Sequence, residues 1–150
     1  MITKFTEYIV ESRESVEDLE MLNPEELGRL LHIEIEKSSP DFQFIQDILD
    51  VGCPIDAMLN GSFTSLHFAV SMGNLELLKF LLSKGADIYA RDANDWTVLH
   101  YATEGEYVDI LKYLITKGAQ VNAMTKWDET AWDIANDKIK DLCPELNPNK

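Results

Sequence analysis

The sequence predicts an all-α protein, a solenoid of stacked helix–turn–helix units. Three observations point there. Residues recur at a step of 33: Thr64, Thr97 and Thr130; Ala69, Ala102 and Ala135; Gly52, Gly85 and Gly118. Each of those glycines opens a matching run: GCPIDA, GADIYA and GAQVNA. Between threonine and glycine the apolar register also holds. Leu66 aligns with Leu99 and Trp132, Leu78 with Leu111, and Leu81 with Leu114. A period of this length marks an array in which each unit buries its apolar face against its neighbours.

The elements follow in chain order. Ile2, Phe5 and Ile9 stand at helical spacing ahead of an acidic stretch, which predicts a short helix within the extension 1–23. Asn23 as N-cap, Pro24 at the first helical position, and Glu25 and Glu26 in the first turn start a helix over 24–36. The stretch SSPDF breaks it, and 41–50 forms a second helix. SLHFAVSM (65–72) and LELLKFLLS (75–83) carry apolar residues at helical spacing, and MGN (72–74) parts them. Gly85 follows the second of these, where a left-handed cap is wanted. Lys84 and Lys117 are expected in last turns, where a cation suits the helix dipole. Asp92 and Asp95 fit a turn. In the closing unit, TAWDIANDKIK places Trp132 and Asp133 where Leu and His stood, with Trp132 expected in the core. Asp137, Lys138 and Lys140 give it a polar face, and CPELNPNK reads as a frayed tail.

The stretches TSLHFA (64–69) and TVLHYA (97–102), with the G-A-D runs that follow at the same period, resemble the ankyrin repeat. The resemblance covers 59–91 and 92–124 as whole repeats. It makes 24–58 an N-terminal and 125–143 a C-terminal capping repeat, with 1–23 an extension and 144–150 a tail. It implies a turn, two short antiparallel helices and a projecting β-hairpin-like finger in each unit. The family usually carries Gly at the positions of Ser62, Asp95 and Asp128. Its absence predicts strained turns, or another geometry such as the NG at 60–61 allows.

The two histidines could be a catalytic or metal-binding pair. Against this, no Cys, Asp or Glu recurs at ligand spacing beside them, and no Ser or Cys sits in a nucleophile motif. The resemblance implies structural roles instead: Thr64, Thr97 and Thr130 start helices, His67 and His100 bond the threonines and tie neighbouring loops, and Gly52, Gly85 and Gly118 cap. His32 stands 20 residues before Gly52, whereas His67 stands 18 before Gly85, so it reads as a cap residue without an assigned role. Cys53 aligns with Ala86 and Ala119, a small buried site, and Cys143 is expected to be partly exposed. No catalytic residue, cofactor or metal is expected.

The chain carries 13 basic and 27 acidic residues, a net charge of −14, of which residues 1–50 hold −9. Such a field favours solubility and basic partners and repels nucleic acid and anionic membranes. No apolar run approaches the roughly 20 residues that span a bilayer. Two cysteines with no metal or disulfide pattern suit a reducing, cytoplasmic setting, and a monomer is expected.

The resemblance places function on the concave face and finger tips, as a non-enzymatic protein-binding module. Position by position it picks out Phe63, Trp96 and Glu129 at the tips. Asn94, Lys126 and Trp127 lie in the turns, Met58 and Arg91 close their repeats, and Met72 and Glu104 lie on the inner helices. Tyr89 stands where the family usually has Asn. Phe63, Trp96 and Trp127 are expected along one edge as anchors, with Met124 nearby and an acidic rim of Asp92, Asp95, Glu104, Glu106 and Asp128. They could instead pack on neighbouring fingers. Two other classes stay open. One is a small acidic inhibitor or decoy occupying a basic site that could bind nucleic acid. The other is an enzyme or small-molecule binder, which needs a deep pocket with convergent polar groups.

Overall fold

The computed structural model describes residues 16–58 and 63–150. The helix expected around Ile2, Phe5 and Ile9, and the turn positions at 60–62, lie outside the described residues. Within them the chain runs α1 (Val16–Glu20), α2 (Pro24–Ile35), α3 (Phe42–Asp50), α4 (Ser65–Ser71), α5 (Leu75–Ser83), α6 (Val98–Glu104), α7 (Val108–Thr116), α8 (Ala131–Ile134) and α9 (Asp137–Leu142). A 3-10 turn over Pro144–Leu146 follows. Helices α2, α4, α6 and α8 pack side by side as an inner row, while α3 and α5 pair with α2 and α4, and α7 pairs with α6.

Local chemistry sets the helix ends. The Asn23 side chain accepts from the Glu25 and Glu26 amides, and the Asn23 amide donates to the Glu26 carboxylate at 3.0 Å, a closed capping box. Helix α3 begins at Phe42 because Asp41 is its cap, accepting from the Gln43 and Phe44 amides. The loop between α2 and α3 is braced by Glu34, a fully buried carboxylate that accepts from the Asp41 amide at 2.8 Å and pairs with Lys37. Gly52, Gly85 and Gly118 turn the chain out of the outer helices at φ of 101°, 91° and 88°, a region that penalises any side chain.

The core lies between the two rows. Leu30, Leu31, Ile45 and Ile48, then Leu66, Leu77, Leu78 and Leu81, then Leu111 and Leu114 are fully buried. Each such side chain contributes about 1.5–3 kcal/mol relative to exposure. The leucines of one unit touch those of the next, so no unit is stable without its neighbour.

The structure corrects several expectations. The expected frayed tail begins as an ordered turn: Leu146 is fully buried and the 3-10 turn Pro144–Leu146 lies on α7. Cys143 is likewise fully buried instead of partly exposed, because the same turn folds over it. Trp132 is half-buried at the core edge; α8 has a single turn, and the Lys140 ammonium lies 5.5 Å from the Trp132 ring centroid. Lys84 and Lys117 occupy the C-cap positions just beyond the last turns, with their ammoniums over the rings of Phe80 and Tyr113.

Candidate functional site

The inner row begins each full repeat with the same device. The Thr64 amide and hydroxyl both meet His67 Nδ1, at 3.3 and 3.0 Å. The Thr97 amide and hydroxyl meet His100 Nδ1 at 3.1 and 2.9 Å. An amide can only donate, so Nδ1 is the bare nitrogen and the ring proton sits on Nε2. His100 Nε2 donates to the Glu129 carbonyl at 3.2 Å, in the loop that leads to the next unit. His67 Nε2 lies near the Trp96 and Ala90 carbonyls without a well-formed bond to either. Burial holds all three imidazoles, those of His32, His67 and His100, below their ordinary value of 6.5.

His32 belongs to the same row, which the sequence spacing concealed. It is fully buried, and its Nε2 donates to the Ala57 carbonyl at 2.9 Å. Its ring meets Phe68 edge-on at 5.0 Å, as the His67 ring meets Tyr101 edge-on at 5.6 Å. The difference lies three residues back, where exposed Arg29 replaces threonine within a longer helix, and His32 Nδ1 has no hydrogen-bond partner among the described residues. In the last unit a carboxylate replaces the imidazole. Asp133 accepts from the Thr130 amide at 2.8 Å and hydroxyl at 2.6 Å, and these bonds hold its carboxyl below the ordinary range. The segment after α9 makes a 3-10 turn instead of a finger, so the second nitrogen that ties a loop has no task there.

The fingers are short turns braced from one side. Asp92 Oδ1 accepts from the Asn94 and Trp96 amides at 2.7 and 2.8 Å, and the Asp92 amide donates to the Trp96 carbonyl. The Tyr101 hydroxyl donates to Asp92 Oδ2 at 2.6 Å. In the next finger Thr125 Oγ1 accepts from the Trp127 and Glu129 amides, and Met124 and Thr130 form an antiparallel bridge. Asp95 and Asp128 hold φ of 61° and 58°, the left-handed conformation at the two described positions where the repeat usually carries Gly. Fingers are also tied to each other: the Lys126 amide donates to the Asn94 carbonyl at 3.1 Å, and Arg91 Nη1 to the Met124 carbonyl at 2.9 Å.

This framework divides the aromatic residues into two groups. The half-buried rings of Phe63 and Trp96 are packed inward. Phe63 meets Phe68 and Tyr101, each at 5.3 Å, and Trp96 meets Tyr101 at 5.1 Å and His100 at 5.7 Å. Trp127 stands apart, 60% exposed, with no ring partner among the described residues. Met58, Tyr89 and Met124 are each about half exposed, and Met72 is exposed at the C-cap of α4. Arg91, Asn94, Glu104, Lys126 and Glu129 are exposed as well. Among the described residues no group of three His, Cys, Asp or Glu side chains could hold a metal ion. The thiol of Cys53 is buried and pushed up to about 11.

Glu106, expected only as part of the acidic rim, ties two units together. It holds φ of 56° at the register of Gly73, which has φ of 67°. Its carboxylate accepts from Asn136 Nδ2 at 2.8 Å and Lys138 Nζ at 2.7 Å, which pulls it below the ordinary range and ties the third unit to the last. The available signal was its place 33 residues after that glycine.

Paired helices, left-handed caps and tied fingers at one period define a helical repeat solenoid. The family description "Ankyrin repeats (many copies)" matches residues 16–82 and 66–115. The chain belongs to the ankyrin-repeat family. Ankyrin repeats generally mediate protein–protein interaction and are typically non-enzymatic. A comparison with curated proteins found no match. Among the described residues no helix is long and apolar enough to cross a membrane.

Proposed function

We propose that this chain binds a partner protein through its finger tips and inner helices, with Trp127 as principal anchor. The observation that carries this reading is the exposure of Trp127 beside Met124 and Lys126, on a finger held rigid by bonds to its neighbour. Large apolar side chains on a preorganised surface give hot spots at low entropic cost. Tyr89, Met58 and Met72 extend the apolar contact, and the exposed edges of Phe63 and Trp96 border it. Arg91, Asn94, Glu104 and Glu129 supply polar contacts at the rim. The net charge of −14 favours a basic partner through faster encounter. Two buried free thiols suit a reducing setting, where we place the encounter.

The test is affinity capture from native cell extract by the wild type and by a Trp127→Ala/Met124→Ala variant matched for thermal stability. Loss of a captured protein in the variant supports the reading, and unchanged capture of the same protein contradicts it. The charge concentrated in residues 1–50 favours the second reading, an acidic decoy for a basic site. That reading predicts capture that collapses with salt and ignores both substitutions.

A further inference from the structure

Acid outnumbers base two to one in this chain, yet only three of the eleven described cations are ion-paired with a carboxylate among the described residues. Arg29 pairs with Glu25, Lys37 with Glu34, and Lys138 with Glu106. Lys79 on α5 and Lys117 at the end of α7 are ion-paired with nothing among the described residues. Both ammoniums instead approach one ring, each 5.4 Å from the Tyr113 centroid. Between them lies an open cavity of about 300 Å³, with an apolar floor of Leu82, Ala86 and Ile88. The acids of these two helices, Glu76 and Asp109, sit in the first turns, while the cavity lies toward the later turns.

We propose that this cavity on the outer helices is a second docking site. Its occupant is a short acidic segment of a partner protein, carrying an apolar side chain beside its carboxylates. The volume is at the small end of ligand sites, which suits a side chain or two better than a cofactor. The apolar side chain rests on Leu82 and Ile88, and the carboxylates accept from Lys79 and Lys117. Whole-molecule charge decides against a nucleic acid or an anionic membrane: a field of −14 repels an extended polyanion. A short segment escapes most of that penalty, because screening confines its interaction to about 8–10 Å. The proposal is independent of the finger surface, since none of the finger-tip anchors lines this cavity.

The probe is a fluorescein-labelled peptide, Gly-Gly-Leu-Glu-Glu-Leu-Gly-Gly, titrated with the full chain at about 50 mM salt and read by anisotropy. Binding is expected, weakened about fivefold or more by Lys79→Ala/Lys117→Ala, which removes two exposed ion pairs. It is expected to survive Lys126→Ala and Trp127→Ala. Replacing both glutamates of the peptide by glutamine should weaken it similarly. If the double variant melts early, the wild type locates the peptide instead: its Tyr113 ring resonances should shift on titration, and unmoved resonances would count against the site. Absence of binding, equal binding of the glutamine peptide, equal affinity for inorganic phosphate, or dependence on Trp127 would each overturn the proposal.

Discussion

Trp96 and Trp127 are both finger tryptophans, yet their surroundings give them opposite energetics. Trp96 stacks obliquely on His100 and Tyr101, and its amide is held by Asp92. Trp96→Ala should lower stability by about 2 kcal/mol, since aromatic contacts add to lost area. Trp127→Ala should stay within about 0.5 kcal/mol of wild type, as for most exposed sites. Paired urea titrations would expose an error if both variants lost equally. Sequence register alone could not separate them, because it gives a position along the finger but not whether a ring turns inward. The turn strain was more legible. Asp95 stands where the repeat usually carries Gly and does adopt φ of 61°. Asp95→Gly should therefore raise stability by about 0.5–1 kcal/mol, relief of left-handed strain exceeding the added chain entropy. For a chain of this size that is a rise in Tm of roughly 1–4 °C; a fall would show that the Asp95 side chain is needed.

The helices were readable wherever their ends are decided locally. Asn23, Asp41 and Asn74 each accept from amides at the start of the helix that follows, and at Asn23 type and spacing sufficed to read the cap. Asn23→Ala should cost about 1 kcal/mol and loosen α2, with amide exchange over 24–28 as the check. Protection equal to wild type there would mean that tertiary packing alone sets this helix start. What escaped the sequence was decided between elements. Two extra residues ahead of α3 shift His32 out of register with Gly52, while the row of rings still places it beside Phe68. The 3-10 turn is held by burial of Leu146 on α7, and CPELNPNK has no periodicity to announce that. Asp133 shows the reverse case: a changed residue type marks the point where the histidine device needs one hand instead of two.

Across the whole molecule, the row of buried histidines couples stability to pH. His32, His67 and His100 all have their folded values lowered, chiefly by burial. The unfolded chain therefore binds more protons below about pH 6.5. Their contribution is complete above that value and is lost as pH falls from it toward the lower folded values. Thermal melts between about pH 7.5 and 5.5, above most of the carboxylate range, should show Tm falling with acidity. A Tm that held or rose would remove the histidines from the account. The same row orders the fingers and leaves their outer edge for contact, which gives the central claim. Hydrogen exchange on the captured complex tests it most directly. The account predicts new protection over 89–96 and 122–129, with little change in residues 16–50. Protection concentrated in residues 16–50, with the fingers unaltered, would contradict it.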